Sequence, residues 1–190
     1  MSTVTAVRKN GYVSVAADTL TSFGTTKLRH NYKNDSKLLK WGENIIGFTG
    51  RISLKMILLD LIEDNVEAPD FSNARKIYKY FNQLHSELKE KYFLRPNDDD
   101  DDPVEASHFS IVIANKHGIF GVYSLREVYD YQRFWAFGSG GEYALGAMHA
   151  LYELDDFDAK QVAEAGIRAG IEFDDGTESP VESVLIKLEN

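Results

Sequence analysis

Short apolar stretches, many of them alternating with polar residues, fill the first fifty positions of the chain and predict strands joined by tight turns. Residues 3–8 and 12–18 are typical of two hairpin strands, and Asn10-Gly11 between them tolerates the positive φ angles of a two-residue turn. After a loop around Gly24 the strand pattern returns. The further strands predicted in this part lie at residues 37–41 and 45–49.

Two regions of helical periodicity interrupt the strands. The first spans residues 54–93 and is divided by Pro69; its apolar residues recur at intervals of three and four, which is the spacing of one helix face. The second follows a glycine-rich turn at 138–141, and Asp158 with Gln161 has the spacing of a capping box before its last helix. The remaining predicted strands lie at residues 108–114, 119–123, 133–137 and 181–188.

The order of these elements predicts the fold class. Hairpins dominate and no βαβ alternation occurs, which favours an α+β fold with antiparallel sheets. Sheets that are apolar on both faces need a cover on each side, and two sheets between two helical layers, a four-layer αββα sandwich, provide it. A length of 190 residues predicts one domain over residues 1–190.

Composition and charge narrow the classes of function. The 30 acidic residues outnumber the 21 basic ones and give a net charge of −9, which disfavours nucleic acid and anionic membranes as partners. Cysteine is absent, so there is no disulfide framework and no catalytic thiol. No apolar run approaches the roughly 20 residues of a membrane span, and the first residues lack the order of a signal peptide. We expect a cytoplasmic protein.

Three further features give weak or negative indications. Residues 95–103 include five consecutive aspartates and predict a solvated acidic loop; a calcium site is the alternative, although the spaced ligands and glycine of an EF-hand loop are missing. The turn at 138–141 lacks the lysine of a P-loop, which leaves a tight turn as the favoured interpretation over an anion cradle. The histidines lack metal-ligand spacing and no G-x-S-x-G motif occurs, although a Ser-His-Asp triad stays open. We expect no metal and no cofactor.

Ser2 is the most informative candidate for chemistry. A side chain this small normally permits removal of Met1, and we expect that Met1 is removed to leave Ser2 with a free α-amine beside its own hydroxyl. An α-amine has an unperturbed pKa of about 7.7–8.0, so a useful fraction is neutral and can act as the base for the hydroxyl. Many proteins begin with Met-Ser, and only the rest of the chain gives this feature weight.

Several segments together carry a resemblance to a known family. These are residues 2–11, the strand ending in Asp18, Lys37 with the strand and turn at 45–50, and the glycine turn at 138–144. In this order they resemble the proteasome β-type peptidases, particularly the bacterial ATP-dependent HslV-type peptidase, across essentially the whole chain. The predicted layers agree with that family's αββα N-terminal-nucleophile hydrolase fold.

The resemblance implies specific roles for individual residues. Ser2 matches the nucleophilic threonine. Lys37 matches a lysine beside that hydroxyl, whose charge lowers the pKa of the hydroxyl and of the α-amine, and Asp18 matches the aspartate that holds the lysine charged and oriented. The N–H of Gly50 matches the oxyanion donor. The resemblance also implies that Ser139 and Asp174 hydrogen-bond the terminal amine.

The sequence departs from the family pattern at three places. Serine replaces threonine at position 2, and the loss of the γ-methyl group frees χ1. The interval between Asp18 and Lys37 is longer than in the family, which makes Lys33 an alternative to Lys37. The segment after the last helix is only loosely similar, so either Asp174 or Asp175 can hold the aspartate role.

As a whole, the resemblance implies a threonine-type peptidase that uses serine and hydrolyses peptides or unfolded proteins. It also implies a homo-oligomeric double ring of roughly 12–14 subunits, and it leaves open whether an ATP-dependent unfoldase docks on the rings. A small-amide hydrolase of the same fold is one alternative. A catalytically silent ring or scaffold subunit is another, since retention of Met1 would block the amine.

Overall fold

Antiparallel strands and four helices make up the regular structure of the computed structural model, which describes residues 2–28, 32, 35–65, 67–96 and 102–189. In chain order the elements are β1 (Thr3–Lys9), β2 (Tyr12–Asp18), β3 (Ser22–Phe23), β4 (Thr26–Lys27), β5 (Leu38–Trp41), β6 (Asn44–Thr49), α1 (Ile52–Asp64), α2 (Ala74–Glu90), β7 (Ser110–Asn115), β8 (Gly118–Val122), β9 (Val128–Tyr131), β10 (Phe134–Gly138), α3 (Gly141–Tyr152), α4 (Ala159–Phe173) and β11 (Val181–Lys187).

The larger strands form two sheets whose registers bring distant parts of the chain to one end. One sheet has the order β10-β1-β2-β11 and the other β5-β6-β7-β8-β9, with every pair antiparallel. In the first sheet Thr3 lies opposite Gly138, and Val181 lies opposite Asp18. The start of β1 therefore lies beside the ends of β2 and β10 and the start of β11.

Three apolar clusters hold four layers together. One fills the space between the sheets, the second lies between the five-stranded sheet and α1 and α2, and the third lies between the four-stranded sheet and α3 and α4. Each fully buried aliphatic or aromatic side chain contributes about 1.5–3 kcal/mol of transfer free energy. The layer order is αββα, which confirms the predicted fold class, as the similar solved structures described below also do.

Several predicted elements match the structure closely. The first hairpin turns at Asn10 and Gly11, which both have positive φ. The capping box is present in full: Asp158 Oδ1 accepts from the Gln161 N–H, and Gln161 Oε1 accepts from the Asp158 N–H. None of the helices in the described ranges combines the length and the apolar character needed to cross a membrane.

Other boundaries differ for local reasons. The strand predicted to begin at His108 begins at Ser110, because His108 has a φ of 60°, a left-handed conformation that a strand cannot contain. Lys37 lies one residue before β5 rather than in it. The strand β9 and the short β3–β4 hairpin were not predicted. Of the predicted acidic loop, residues 97–101 lie outside the described part of the chain.

Candidate active site

Ser2 lies at the point where β1 meets the glycine turn after β10. Its main-chain nitrogen is 3.3 Å from Ser139 Oγ, and that Oγ is 3.5 Å from the Ser2 carbonyl oxygen. The approach is possible because residue 138 is a glycine with a φ of 92°: a Cβ there would be 1.9 Å from the Ser2 oxygen. The glycine turn therefore holds the main chain of Ser2 in place.

A buried ion pair lies beside this terminus. Lys37 Nζ donates to Asp18 Oδ1 at 2.6 Å, and the two side chains are 6% and 0% exposed. Three main-chain N–H groups also donate to the carboxylate, from Thr3 at 2.8 Å, Leu20 at 3.0 Å and Glu178 at 3.3 Å. Hydrogen bonds of this kind offset the cost of burying an ionised carboxylate.

Opposing effects act on the pKa of Lys37. Burial lowers the pKa of Lys37 below its ordinary value, while the charge and hydrogen bond of Asp18, and more weakly the charge of Asp174, raise it. Burial is the larger effect, so the Lys37 ammonium loses its proton more easily than an exposed lysine. A lysine with a shifted pKa in a cleft is typical of functional sites.

A chain of hydroxyl groups connects Ser139 to β1. Ser139 Oγ donates to Asp174 Oδ2 at 2.8 Å, and Thr177 Oγ1 donates to the same oxygen at 2.5 Å. Thr177 Oγ1 is in turn 2.5 Å from Thr3 Oγ1. Of the two candidate aspartates, the structure brings Asp174 to Ser139, while the side chain of Asp175 is exposed.

Thr3 and Thr177 are site residues that the sequence analysis did not find. Thr177 follows Asp174 by three residues, a spacing at which a hydroxyl can return to the carboxylate, and its N–H also bonds to the Asp174 carbonyl at 3.2 Å. This local signal was available in the sequence. The contact between Thr3 and Thr177 joins residues 174 positions apart and has no local signal.

Ser2 and Gly50 lie between two cavities. The larger, of about 650 Å³, is lined by both residues and by Lys37 and Lys55, and the smaller, of about 410 Å³, is lined by both residues and by Ser139. Gly50 is exposed and has a φ of 138°, a conformation that favours glycine. An extended chain lying across both cavities would pass over Ser2.

The alternatives left open by the sequence have different outcomes. Lys33 lies outside the described residues. His85 does form a serine–histidine–carboxylate set, with Nδ1 2.8 Å from Ser107 Oγ and Nε2 3.0 Å from Glu105 Oε2. Ser107 is only 1% exposed, so a substrate cannot reach its hydroxyl. Among the described residues no group of three or more His, Asp or Glu side chains is placed to hold a metal ion.

Comparison with known proteins places this chain in a family. The sequence matches the family model for proteasome subunits over residues 1–186. The ATP-dependent protease subunit HslV of Aquifex aeolicus is 26% identical over 171 residues, which cover 90% of this chain and 89% of that protein.

Solved structures show the same likeness. Thiobacillus denitrificans BPH in complex with epoxomicin is 39% identical, with a TM-score of 0.92 over 99% of this chain and 100% of that one. HslV of Trypanosoma brucei is 21% identical and shares the fold, with a TM-score of 0.66 over 97% of this chain and 99% of that one.

Proposed function

The chain belongs to the proteasome subunit family, and from this premise we propose that Ser2 is the N-terminal nucleophile of a peptidase. The observation that carries the proposal is that the Ser2 nitrogen lies 3.3 Å from Ser139 Oγ, at the mouth of a cavity that Ser2 shares with Lys37. Removal of Met1 turns this nitrogen into an α-amine. A hydroxyl and its base are then present on one residue.

The reaction follows from the groups around Ser2. The amine takes the proton of the Ser2 hydroxyl as its Oγ attacks the scissile carbonyl, and it then gives that proton to the leaving nitrogen. The resulting ester on Ser2 is hydrolysed by water, with the amine again acting as base. The positive charge of Lys37 favours the ionised Oγ, and Asp18 orients Lys37.

Two further groups complete the proposed site. The N–H of Gly50 is the proposed donor to the oxyanion of the tetrahedral intermediate. Ser139, held by Asp174, accepts from the Ser2 nitrogen and fixes the direction of the amine. Because Thr177 and Thr3 extend this chain of hydrogen bonds, we include them as residues that position Ser139 and Asp174.

We further propose that the peptidase works as a homo-oligomeric double ring that encloses Ser2. The cleft is open on both sides of Ser2 in the single chain, and enclosure would restrict it to peptides and unfolded chains. The relative from Aquifex aeolicus is named an ATP-dependent protease subunit, which supports an ATP-dependent unfoldase as partner. The proposed setting is the cytoplasm.

Reaction with an irreversible inhibitor tests the proposal. Treatment with a peptide epoxyketone, the class to which epoxomicin belongs, should add one inhibitor per chain, located on Ser2 by peptide mapping. Ser2→Ala is the matched control and should take up none. The intact mass before treatment should lack Met1. Retention of Met1, with no adduct, would contradict the proposal and favour a silent ring subunit, while hydrolysis of small amides without peptide cleavage would favour a small-amide hydrolase.

A further inference from the structure

The larger cavity beside Ser2 contains a buried lysine that the proposed mechanism does not use. Lys55 lies on the buried face of α1, where the other buried residues are Leu54, Leu58 and Leu61. It is 3% exposed and lines the same cavity as Ser2. Burial of a lysine costs stability, because it disfavours the charged form.

Positive charges outnumber negative ones among the described residues that line the cavity. Among the described lining residues Arg51, Lys37 and Lys55 are cationic and Asp35 is the one carboxylate. The charge of Lys37 is paired with Asp18, which does not line the cavity. Burial lowers the pKa of Lys55 despite the opposing charges of Asp35 and Glu182. The neighbouring carboxylates therefore do not fully offset the cost of burying the ammonium.

We propose that this cavity makes the peptidase selective for substrates with an acidic side chain, Asp or Glu, next to the scissile bond. The inference rests on the proposed function, because it concerns the same cleft. An incoming carboxylate would share Lys55 with Asp35 and would also face Arg51 at the rim. A lysine or arginine side chain would meet two like charges, and an apolar side chain would leave the ammonium without a new partner.

The size of the cavity agrees with this occupant. At about 650 Å³ it is large enough for any single side chain, so volume does not select among residues. Its polar lining includes hydroxyl groups from Thr21, Ser22 and Ser53 beside the charged residues. Charge, rather than shape, is therefore the property that separates one substrate from another here.

Mapping of cleavage sites reads the residues on both sides of each bond. The assembled protein is incubated with an unstructured protein such as casein, and the fragments are identified by mass spectrometry. Cleavage rates are then measured on matched peptides that differ only in having Glu, Leu or Arg beside the scissile bond. We expect the Glu peptide to be cleaved about 10- to 100-fold faster than the Leu peptide, the scale of a charge-assisted hydrogen bond, and the Arg peptide to be slowest.

Variants assign the selectivity to Lys55. Lys55→Met should reduce the Glu-to-Leu ratio to near one, and Lys55→Arg, which keeps the charge and covers the case in which the methionine variant does not assemble, should retain it. Asp35→Asn should raise the ratio. Lys40→Met removes an exposed lysine of β5 and should leave the ratio unchanged.

The outcomes separate this inference from the proposed function. Wild-type cleavage that depends on Ser2 but shows equal rates on the Glu and Leu peptides would overturn the acidic selectivity alone. A preference for Arg would also overturn it and would assign the selection to Asp35. Absence of any Ser2-dependent peptide cleavage would overturn the proposed function instead.

Discussion

The main-chain nitrogen of Ser2 lies within reach of Ser139 Oγ, and its hydroxyl is carried on the same residue. We predict that Ser2→Ala abolishes peptide hydrolysis and leaves assembly intact, because it removes the nucleophile but keeps the amine. Ser2→Thr should retain or raise the rate, since a β-branched side chain restricts χ1. Rates on a fluorogenic peptide and light scattering measure both. Activity in Ser2→Ala above background would refute the N-terminal mechanism.

Lys37 lines the same cavity as Ser2, and the proposed mechanism requires its positive charge there. Lys37→Ala should reduce the rate by at least about 100-fold, the scale of losing one electrostatic or acid–base group. Lys33→Ala is the matched control and should have little effect. Because an unpaired buried Asp18 destabilises the fold, circular dichroism must show that the Lys37 variant is folded. A larger loss in the Lys33 variant would move the role to that residue.

The lowered pKa of Lys37 predicts a pH dependence. Burial favours loss of the proton, so as the pH rises Lys37 is neutralised at a lower pH than a lysine with the ordinary pKa of 10.5. If the charge is needed, the rate falls as pH rises through the pKa of the folded protein, and this alkaline limb lies below 10.5. Asp18→Asn removes a charge that raises the pKa, so the limb of its residual activity should move to lower pH. A limb that moves upward would contradict this electrostatic account.

Among the elements, α4 ends so that the residues after it reach the site. Asp174→Asn should slow hydrolysis by about 10- to 100-fold, because the hydrogen bonds from Ser139 and Thr177 lose a charged acceptor. Asp175→Asn changes an exposed neighbour and should have no effect beyond about twofold, well below that scale. Each variant removes one negative charge, so a difference between their rates reports the effect of the position of the aspartate and not of the net charge. Equal losses would remove the special role of Asp174.

The contact between the two sheets depends on a strand residue without a side chain. A Cβ at Gly47 of β6 would lie 2.6 Å from Val4 Cγ1 and 2.7 Å from Val112 Cγ1. Gly47→Ala should therefore destabilise the protein by about 1–3 kcal/mol through overpacking. Gly146→Ala in α3, where a Cβ meets nothing within 4 Å, should stabilise it by up to about 1 kcal/mol. Thermal unfolding of both variants checks the opposite signs.

The elements that sequence predicted well are those with strong local signals. The turn at Asn10-Gly11 and the capping box of α4 require particular residues at particular spacings. In contrast, the short sequence of β9 has no clear apolar face, and none of its residues is fully buried in the structure. The left-handed conformation of His108 makes β7 begin two residues later than predicted, for a conformational reason that no residue type announces. Local sequence signals therefore predict which helices and strands form, whereas the folded structure determines where they begin and end.

The same distinction applies to the site. Ser2 was a candidate from its position after Met1, and the resemblance supplied the roles of the other site residues. The structure connects these residues around Ser2 through hydrogen bonds and the larger cavity; they are Asp18, Lys37, Gly50, Ser139 and Asp174. The spacing after Asp18 left Lys33 open as an alternative to Lys37, because loop length does not determine which lysine turns inward. The proposed role of Lys55 was not anticipated either, since the sequence around it predicts only an apolar helix face and the cavity is visible only in the structure.

At the scale of the whole molecule, the apolar face of α1 is covered within the chain, whereas an aromatic patch on α3 and α4 is exposed. Leu54, Leu58 and Leu61 of α1 are already buried within the chain. Phe173 is 67% exposed and contacts the ring of Tyr143, itself 46% exposed, beside the layer of α3 and α4. Two adjoining exposed aromatic rings are typical of a surface that another molecule covers. We therefore predict that the surface by which the chain assembles includes these two aromatic residues.

Light scattering at physiological salt tests the enclosed double ring. Chains of 21.5 kDa in closed cyclic symmetry, stacked as two rings, should give a mass of roughly 260–300 kDa. Ser2→Ala should assemble to the same mass, because residue 2 faces the cleft, and it serves as the control that separates assembly from activity. Phe173→Glu, which places a charge among exposed aromatic rings, should reduce that mass if this patch lies between subunits. A species of one or two chains with full peptidase activity would show that enclosure is not required, and would favour a small-amide hydrolase of the same fold.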